Sequence, residues 1–291
     1  VSMQISLAVG TDSKIYVAYV ANDSELRLAT RDQDGWSSES VCSNERNRAV
    51  LVLNASNQPY IIAENSSDDA YLMYKDESGW KTSRIPGMYQ DGLDMVFDQN
   101  DTLHVSYYNL DYLTHAEYDG NEWIVTEISD AHYGKTSISI GSDSYPRISY
   151  VRFIDRTYYR LGYAVKGPGG WNYELLGDEF ISGMYNYLTL GADNEAHIMC
   201  EHIGGYGLDY VQQQSGQFQF EEIYLDGAAG IGSSAAFGFN QQICASHYNP
   251  SADALMFSYR QYPGWITETV DNENDVGRRS SLVIDSYGRP H

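Results

Sequence analysis

A tryptophan returns at near-constant intervals along this chain, and that periodicity limits the fold more than any other feature. Trp36, Trp80, Trp123, Trp171 and Trp265 are all five of its tryptophans, Phe218 fills the one gap, and the successive spacings are 44, 43, 48, 47 and 47 residues. Leu26, Leu113, Leu161, Leu208 and Leu255 each precede their aromatic by ten residues, and Leu72 precedes Trp80 by eight. A register kept this way marks a repeat of about 47 residues, in which each copy is one supersecondary unit stacked on the next.

The third copy shows what the unit contains. Four short alternating runs, Met95 to Asp98, Leu103 to Tyr107, Leu113 to Glu117 and Trp123 to Ile128, are separated by turn-rich links such as Asp98-Gln99-Asn100-Asp101 and Asp119-Gly120-Asn121. Runs of that length and alternation read as strands, here A, B, C and D, and the polar links as tight turns. No segment has helical periodicity. Four antiparallel strands repeated radially protect most of their edges, which is the propeller solution; a two-sheet sandwich leaves the regular repeat unexplained.

The expectation is therefore an all-β protein of one domain spanning 1–291, a β-propeller of four-stranded antiparallel blades. The blades fall at about 1–43, 44–87, 88–130, 131–178, 179–226 and 227–271, with a partial seventh at 272–291 that holds only strands A and B. Six complete repeats plus a partial seventh predict the seven-bladed type, with the chain a fragment of a seven-bladed parent.

Forty acidic residues against eighteen basic ones give a formal charge of -22. A field of that sign disfavours nucleic acid and anionic membrane as main partners. No run approaches the length of a membrane span. Three cysteines, Cys42, Cys200 and Cys244, cannot all pair with one another and form no CxxC, so no disulfide framework is expected.

The stretch Asp275-Val276-Gly277-Arg278-Arg279-Ser280-Ser281-Leu282-Val283-Ile284-Asp285, followed by Gly288-Arg289-Pro290-His291, resembles the repeat unit of bacterial BNR-like, sialidase-superfamily-like propellers. The likeness extends through Leu103-His104-Val105-Ser106-Tyr107-Tyr108, Pro146-Arg147-Ile148-Ser149-Tyr150 and the Gly-Trp pairs. The sialidase box Ser-x-Asp-x-Gly-x-x-x-Trp is not matched, so the resemblance implies the fold rather than that activity. Similar proteins include sugar-binding modules, glycan hydrolases and polysaccharide lyases. It implies a secreted or cell-surface protein whose partner is a glycan or other small polar ligand.

In a meander the A–B and C–D turns lie at one end of each sheet and the B–C and D–A loops at the other. The resemblance puts the ligand on the second face. One D–A position there is occupied by Arg48, Gly92, Lys135, Tyr185 and Arg279 in different blades; Arg46 and Arg278 are close by, and the B–C loop of blade 4 adds Arg152 and Arg156. Conversely, Gly167 to Tyr259 holds eleven acidic residues and no Lys or Arg, so the ring should be polarised into a basic and an acidic arc. His132 with Tyr133 in a D–A loop, and His202, His247 and Tyr248 near the ends of two B strands, join the same face.

The first reading of these residues is carbohydrate binding through Arg48, Lys135, Arg152, Tyr185, Tyr248 and Arg279, with aromatic rings under the sugar and polar groups on its hydroxyls. The first alternative is a polysaccharide lyase acting on a uronate-containing glycan. There His132, Tyr133, His202 or His247 would serve as acid and base, with a basic residue on the carboxylate. The second is a protein-interaction scaffold. No metal or other cofactor is required by any of the three. Asp271 to Gly277 has alternate oxygen groups in the manner of a calcium loop without its distal Glu, and Glu201, His202 and His247 form a distant candidate for a transition metal. The tryptophans read as packing, and His104, His197 and His291, at one strand-B register, as repeat-borne packing or surface placement.

Overall fold

In the computed structural model of the chain, the residues described are all but 1–4, 22–23, 44–48, 65–68, 89–91, 131–133, 155–157, 178–184, 203–206, 225–231, 239–240, 279 and 286. Blade 1 consists of β1 (Ser6–Val9), β2 (Ile15–Val20), β3 (Leu26–Asp32) and β4 (Gly35–Cys42), and blade 2 of β5 (Ala49–Leu53), β6 (Pro59–Glu64), β7 (Ala70–Asp76) and β8 (Gly79–Arg84). Blade 3 runs through β9 (Asp94–Phe97), β10 (Leu103–Asn109), β11 (Tyr112–Tyr118) and β12 (Trp123–Asp130), and blade 4 through β13 (Ser137–Ile140), β14 (Pro146–Ile154), β15 (Tyr158–Gly167) and β16 (Gly170–Leu175). Blade 5 has β17 (Tyr187–Leu190), β18 (Ala196–Glu201), β19 (Leu208–Gln214) and β20 (Gln217–Tyr224); blade 6 has β21 (Ser234–Phe237), β22 (Ile243–Asn249), β23 (Ala254–Gln261) and β24 (Gly264–Asp271). Every sheet is an antiparallel meander in chain order.

The blade count corrects the sequence expectation. Among the described residues there are six four-stranded blades, not the seven-bladed type with a partial seventh. Beyond β24 the described residues add a single bridge, Ile284 to Pro290, flanked by the Val283–His291 backbone pair. Repetition of the A and B sequence suggests the start of another blade, but a sheet needs successive ladders, and one bridged pair supplies none.

Within each blade the repeat signals acquire physical causes. In blades 1, 3, 5 and 6 the residue ten before the aromatic, Leu26, Leu113, Leu208 or Leu255, is the first or second residue of strand C and sits at a register shift against strand D. Such a bulge increases local twist. In blade 2 the same position is Ala70, whose carbonyl accepts the Ile85 N–H just as Leu161 accepts Leu176 in blade 4, so Leu72 stands two residues further along the same strand. The Gly-Trp pairs close the C–D hairpins: Gly79, at φ 115°, opens strand D in a conformation a side chain resists, and Trp80 follows it.

The core lies between sheets. Leu28, Leu51, Ile61 and Met73 fill the layer between blades 1 and 2; Ile62, Leu72, Leu103 and Val105 fill the next. Tyr108, Ile148 and Tyr150 pack between blades 3 and 4, Leu161, Leu188 and Ile198 between 4 and 5, and Met199, Tyr210 and Ala245 between 5 and 6. Each fully buried aliphatic or aromatic side chain of this kind contributes roughly 1.5–3 kcal/mol. Trp80, Trp123, Trp171, Phe218 and Trp265 each cover the layer shared with the preceding blade, which is the packing role their register implied. Trp36 is 58% exposed.

The A–B turns are tied to one another around one end of the sheets. Asn57 Oδ1 accepts the Thr11 N–H at 2.9 Å while its amide donates to Thr11 Oγ1 at 2.9 Å. Asp101 Oδ1 accepts the Ala55 N–H at 3.0 Å, and Asn194 Oδ1 accepts the Ser142 N–H at 2.8 Å. All three residues sit at positive φ, 61°, 59° and 64°, where short polar side chains are tolerated. In each clasp a turn of the later blade holds the turn of the blade before it.

Cys42, Cys200 and Cys244 are free thiols. Among the described residues no helix is long and apolar enough to cross a membrane.

Candidate functional site

A cleft of about 500 Å³ opens between blades 5 and 6, lined by His197, Tyr210, Gln212, Phe237, Arg260 and Tyr262 together with the Gln241–Gln242 and Gln261 turns. Strand alternation places Tyr210 and Gln212 of β19 on the same face, toward blade 6. From blade 6, the end of β23 delivers Arg260 and the start of β24 delivers Trp265. The Arg260 guanidinium carbon stands 5.5 Å from the Tyr210 ring centre and 5.8 Å from that of Trp265. The two rings meet edge to face at 5.2 Å.

Glu221 of β20 completes the arrangement across the blade boundary. Its Oε2 is ion-paired with Arg260 Nη1, and its Oε1 accepts the Trp265 Nε1–H at 3.1 Å. Both members of the ion pair keep about a third of their side chains exposed, 30% and 34%. Behind them His197 Nδ1 is hydrogen-bonded to the Tyr210 hydroxyl, and Phe237 meets the imidazole edge to face at 4.8 Å. Burial pushes the His197 pKa down to about 4 and that of Tyr210 upward, so both stay neutral near pH 7. A solvent-reachable guanidinium–carboxylate pair between aromatic rings, backed by neutral polar groups, suits a polyhydroxylated ligand.

Related geometry recurs elsewhere. Between blades 1 and 2, Lys75 Nζ contacts Glu39 Oε2 at 2.7 Å and stands 5.8 Å from the Trp80 ring centre. Lys166 pairs with Glu117 between blades 3 and 4. The signal was present in the sequence: Arg31, Lys75, Lys166 and Arg260 each precede the repeat tryptophan by five residues, and Glu39 and Glu221 follow their aromatic by three. These residues belong to the end of the sheets opposite the D–A/B–C face. Arg260 also closes the stretch that contains no basic residue.

The residues singled out on the D–A/B–C face separate into several environments. His132, Tyr133, Arg48 and Arg279, with neighbouring Arg46 and Arg156, lie outside the described residues. Lys135 is half-buried, its ammonium 5.4 Å from the Tyr187 ring centre, and burial lowers its pKa against the pull of Asp94. Tyr185 is likewise half-buried. Arg152 is ion-paired with Asp130. Tyr248 is buried, with its hydroxyl donating toward Asp253 at 2.8 Å or Asp275 at 2.6 Å and the Arg278 guanidinium 4.6 Å from its ring centre. His202 Nδ1 stands 2.9 Å from Asp209 Oδ2 across β18 and β19, whereas His247 is fully buried in blade 6 with Nε2 2.8 Å from Ser258 Oγ. The two histidines belong to different blades, and among the described residues Glu201, His202 and His247 do not come within metal-binding distance as a group. In the Asp271–Gly277 segment, Asp271 accepts the Glu273 N–H and Asp275 engages Tyr248 and Arg278, so these carboxylates already close turns and pairs.

His247 yields a pH prediction. Burial pushes its pKa down to about 4 from an ordinary 6.5. Between those values the unfolded chain takes up a proton that the folded chain refuses, so this stability is complete above pH 6.5 and is lost as pH falls toward 4. The loss is roughly 3 kcal/mol. Glu201, raised to about 7 by burial, works in the opposite sense and gains stability as pH falls from 7 to 4.5. The check is therefore a comparison: urea midpoints at neutral and acidic pH should fall less steeply in His247→Gln than in the parent. Parallel profiles would contradict the assignment.

The fold defines a class, the β-propellers of four-stranded blades, and solved members of that class are similar to the chain over nearly its whole length. The BP39L lectin from Burkholderia pseudomallei matches with a TM-score of 0.73 at 14% identity, covering 100% of this chain and 94% of that one. The lectin of Aleuria aurantia, a six-bladed propeller with a fucose recognition mode of its own, matches at 0.59 and 14%, covering 95% and 97%. A PL25 ulvan lyase bound to a glucuronate–sulfated rhamnose unit matches at 0.66 and 10%, covering 94% and 83%. At these identities the likeness is one of fold. No protein-family model matches the sequence, and no curated protein matches it.

Proposed function

We propose that this protein is a carbohydrate-binding β-propeller whose ligand occupies the cleft between blades 5 and 6. The observation that carries this reading is the Arg260–Glu221 pair set between Tyr210 and Trp265. A pyranose offers an apolar C–H face to an aromatic ring and hydroxyls at its rim. The guanidinium donates to those hydroxyls, the carboxylate accepts from them, and Tyr262, 91% exposed at the cleft edge, extends the apolar wall. The fold it shares with solved lectins supports the same reading. The strongly acidic surface favours neutral over polyanionic glycans. Calorimetric titration with neutral monosaccharides tests it, beginning with α-methyl fucoside, with which a similar lectin was solved. Saturable binding is expected; a flat response across neutral sugars and a glycan array sinks the proposal.

One observation favours a second reading on the D–A/B–C face. Asp209 orients the imidazole of His202, whose side chain is 30% exposed, and the adjacent Glu201 has its pKa raised to about 7 by burial. An oriented His beside a carboxyl that titrates near neutrality is a workable acid–base set for β-elimination from a uronate. Lys135, Arg152 and Arg278 are described basic groups on that face. A lyase would generate an unsaturated product, so ultraviolet absorbance should rise when the protein meets uronate-containing polysaccharides and stay flat with His202→Ala. No rise with the parent removes this reading while leaving the cleft proposal intact.

A further inference from the structure

Blade 3 carries a group of side chains that neither reading uses. In the β10–β11 ladder His104 lies directly opposite Glu117 and Ser106 opposite His115, which brings His104, His115 and Glu117 onto one face of the sheet, toward blade 4. His104 Nδ1 is 3.0 Å from His115 Nε2 and 3.9 Å from Glu117 Oε1; His115 Nδ1 is 3.7 Å from the same oxygen. One ligand atom from each of the three falls within 4.8 Å of the others.

As a purely structural cluster this is poorly satisfied. His115 is fully buried and His104 nearly so, yet His115 Nδ1 and His104 Nε2 have no hydrogen-bond partner. A buried polar atom left in that state costs about 1–3 kcal/mol, so such atoms call for an explanation. The surroundings supply one. His104 Nε2 stands 3.7 Å from Asp98 Oδ2, and Asp98 is itself fixed by the N–H groups of Asn100 and Thr102, each 2.8 Å away. A carboxylate behind one nitrogen of an imidazole whose other nitrogen faces a second imidazole and a glutamate is the outer support that metal-binding histidines use. The edge of Trp171 walls the far side.

We propose that His104, His115 and Glu117 form a site for a divalent transition metal of the zinc class, with Asp98 as the positioning residue for His104. Two imidazoles and one carboxylate are a tetrahedral donor set with one position left for water. Glu117 is paired with the Lys166 ammonium, which the metal must displace. That exchange is feasible because the Lys166 side chain is 35% exposed and can turn into solvent. The site is independent of the glycan cleft, which belongs to blades 5 and 6.

Zinc titration of the full chain, after dialysis against a chelator, should show one bound ion per chain, and cobalt(II) should give the intense visible bands of tetrahedral coordination. His115→Gln and Glu117→Gln should each abolish both signals. Because His115 is fully buried and its variant can lose the fold, the partly exposed Glu117 is the companion test, with circular dichroism confirming that the sheets persist. Asp98→Asn should weaken binding about 10- to 100-fold, and Lys166→Gln should tighten it by freeing the carboxylate. No stoichiometric binding by the parent, or binding that survives in both Glu117→Gln and His115→Gln, overturns the proposal.

Discussion

Arg260→Ala is expected to weaken glycan binding on the order of 10- to 100-fold, since a hydrogen bond to a charged group contributes about 1.5–3 kcal/mol. The loss is specific to the ligand because the fold leans on Arg260 little. Its ion pair with Glu221 is open to solvent, and such pairs contribute about 0–1 kcal/mol to stability. Tyr210 and Trp265 keep their edge-to-face contact in the variant, and Glu221 keeps its bond from the indole. Calorimetric affinity and the thermal midpoint should therefore separate, the first falling steeply and the second moving little. Glu221→Gln should fall in the same direction. An Arg260 variant that binds like the parent would move the ligand out of this cleft.

Tyr108→Phe is expected to destabilise the protein by about 2–4 kcal/mol through the loss of one oxygen atom. The Tyr108 hydroxyl of blade 3 donates to the Val151 carbonyl at 2.9 Å and accepts the Val151 N–H at 2.8 Å, so one side chain satisfies both polar groups of a residue in the next blade. Val151 is fully buried, and no water can replace what phenylalanine removes. Two main-chain groups would then be orphaned at the layer that Tyr108 shares with Ile148 and Tyr150. The midpoint of urea unfolding reads the effect, with the slope unchanged. A shift too small to resolve would mean that the blades can slide to re-pair Val151, and the account of that layer would fail.

The parts of this fold legible in the sequence are those repeated for a packing reason. The strand-D aromatics can be counted because all but the exposed Trp36 cover a layer shared with the preceding blade, and the leucines ten residues earlier because they stand in the first residues of strand C. Ala70 shows how the signal fades when a small residue holds the same backbone position. Blade number was misread because Asp275 to His291 copies the repeat's sequence without its ladders. The site was harder to read for a different reason. Loop positions follow from the repeat alone, whereas Arg260, Glu221 and Trp265 come from three strands in two blades. His247 looked like a residue at a strand end and lies fully buried within β22. His104 and His115 are eleven residues apart, and only the register of one hairpin makes them neighbours.

The clasps between A–B turns also bear on how the chain is made. Asn57, Asp101 and Asn194 each reach back to a turn that precedes them by a whole repeat, and the bonds they make belong to neither blade alone. A chain leaving the ribosome from its N-terminus thus exposes each of these turns before the residue that locks it has been synthesised. Thr11 waits for Asn57, Ala55 for Asp101, Ser142 for Asn194. Every such blade is secured by its successor, so maturation advances one repeat behind synthesis.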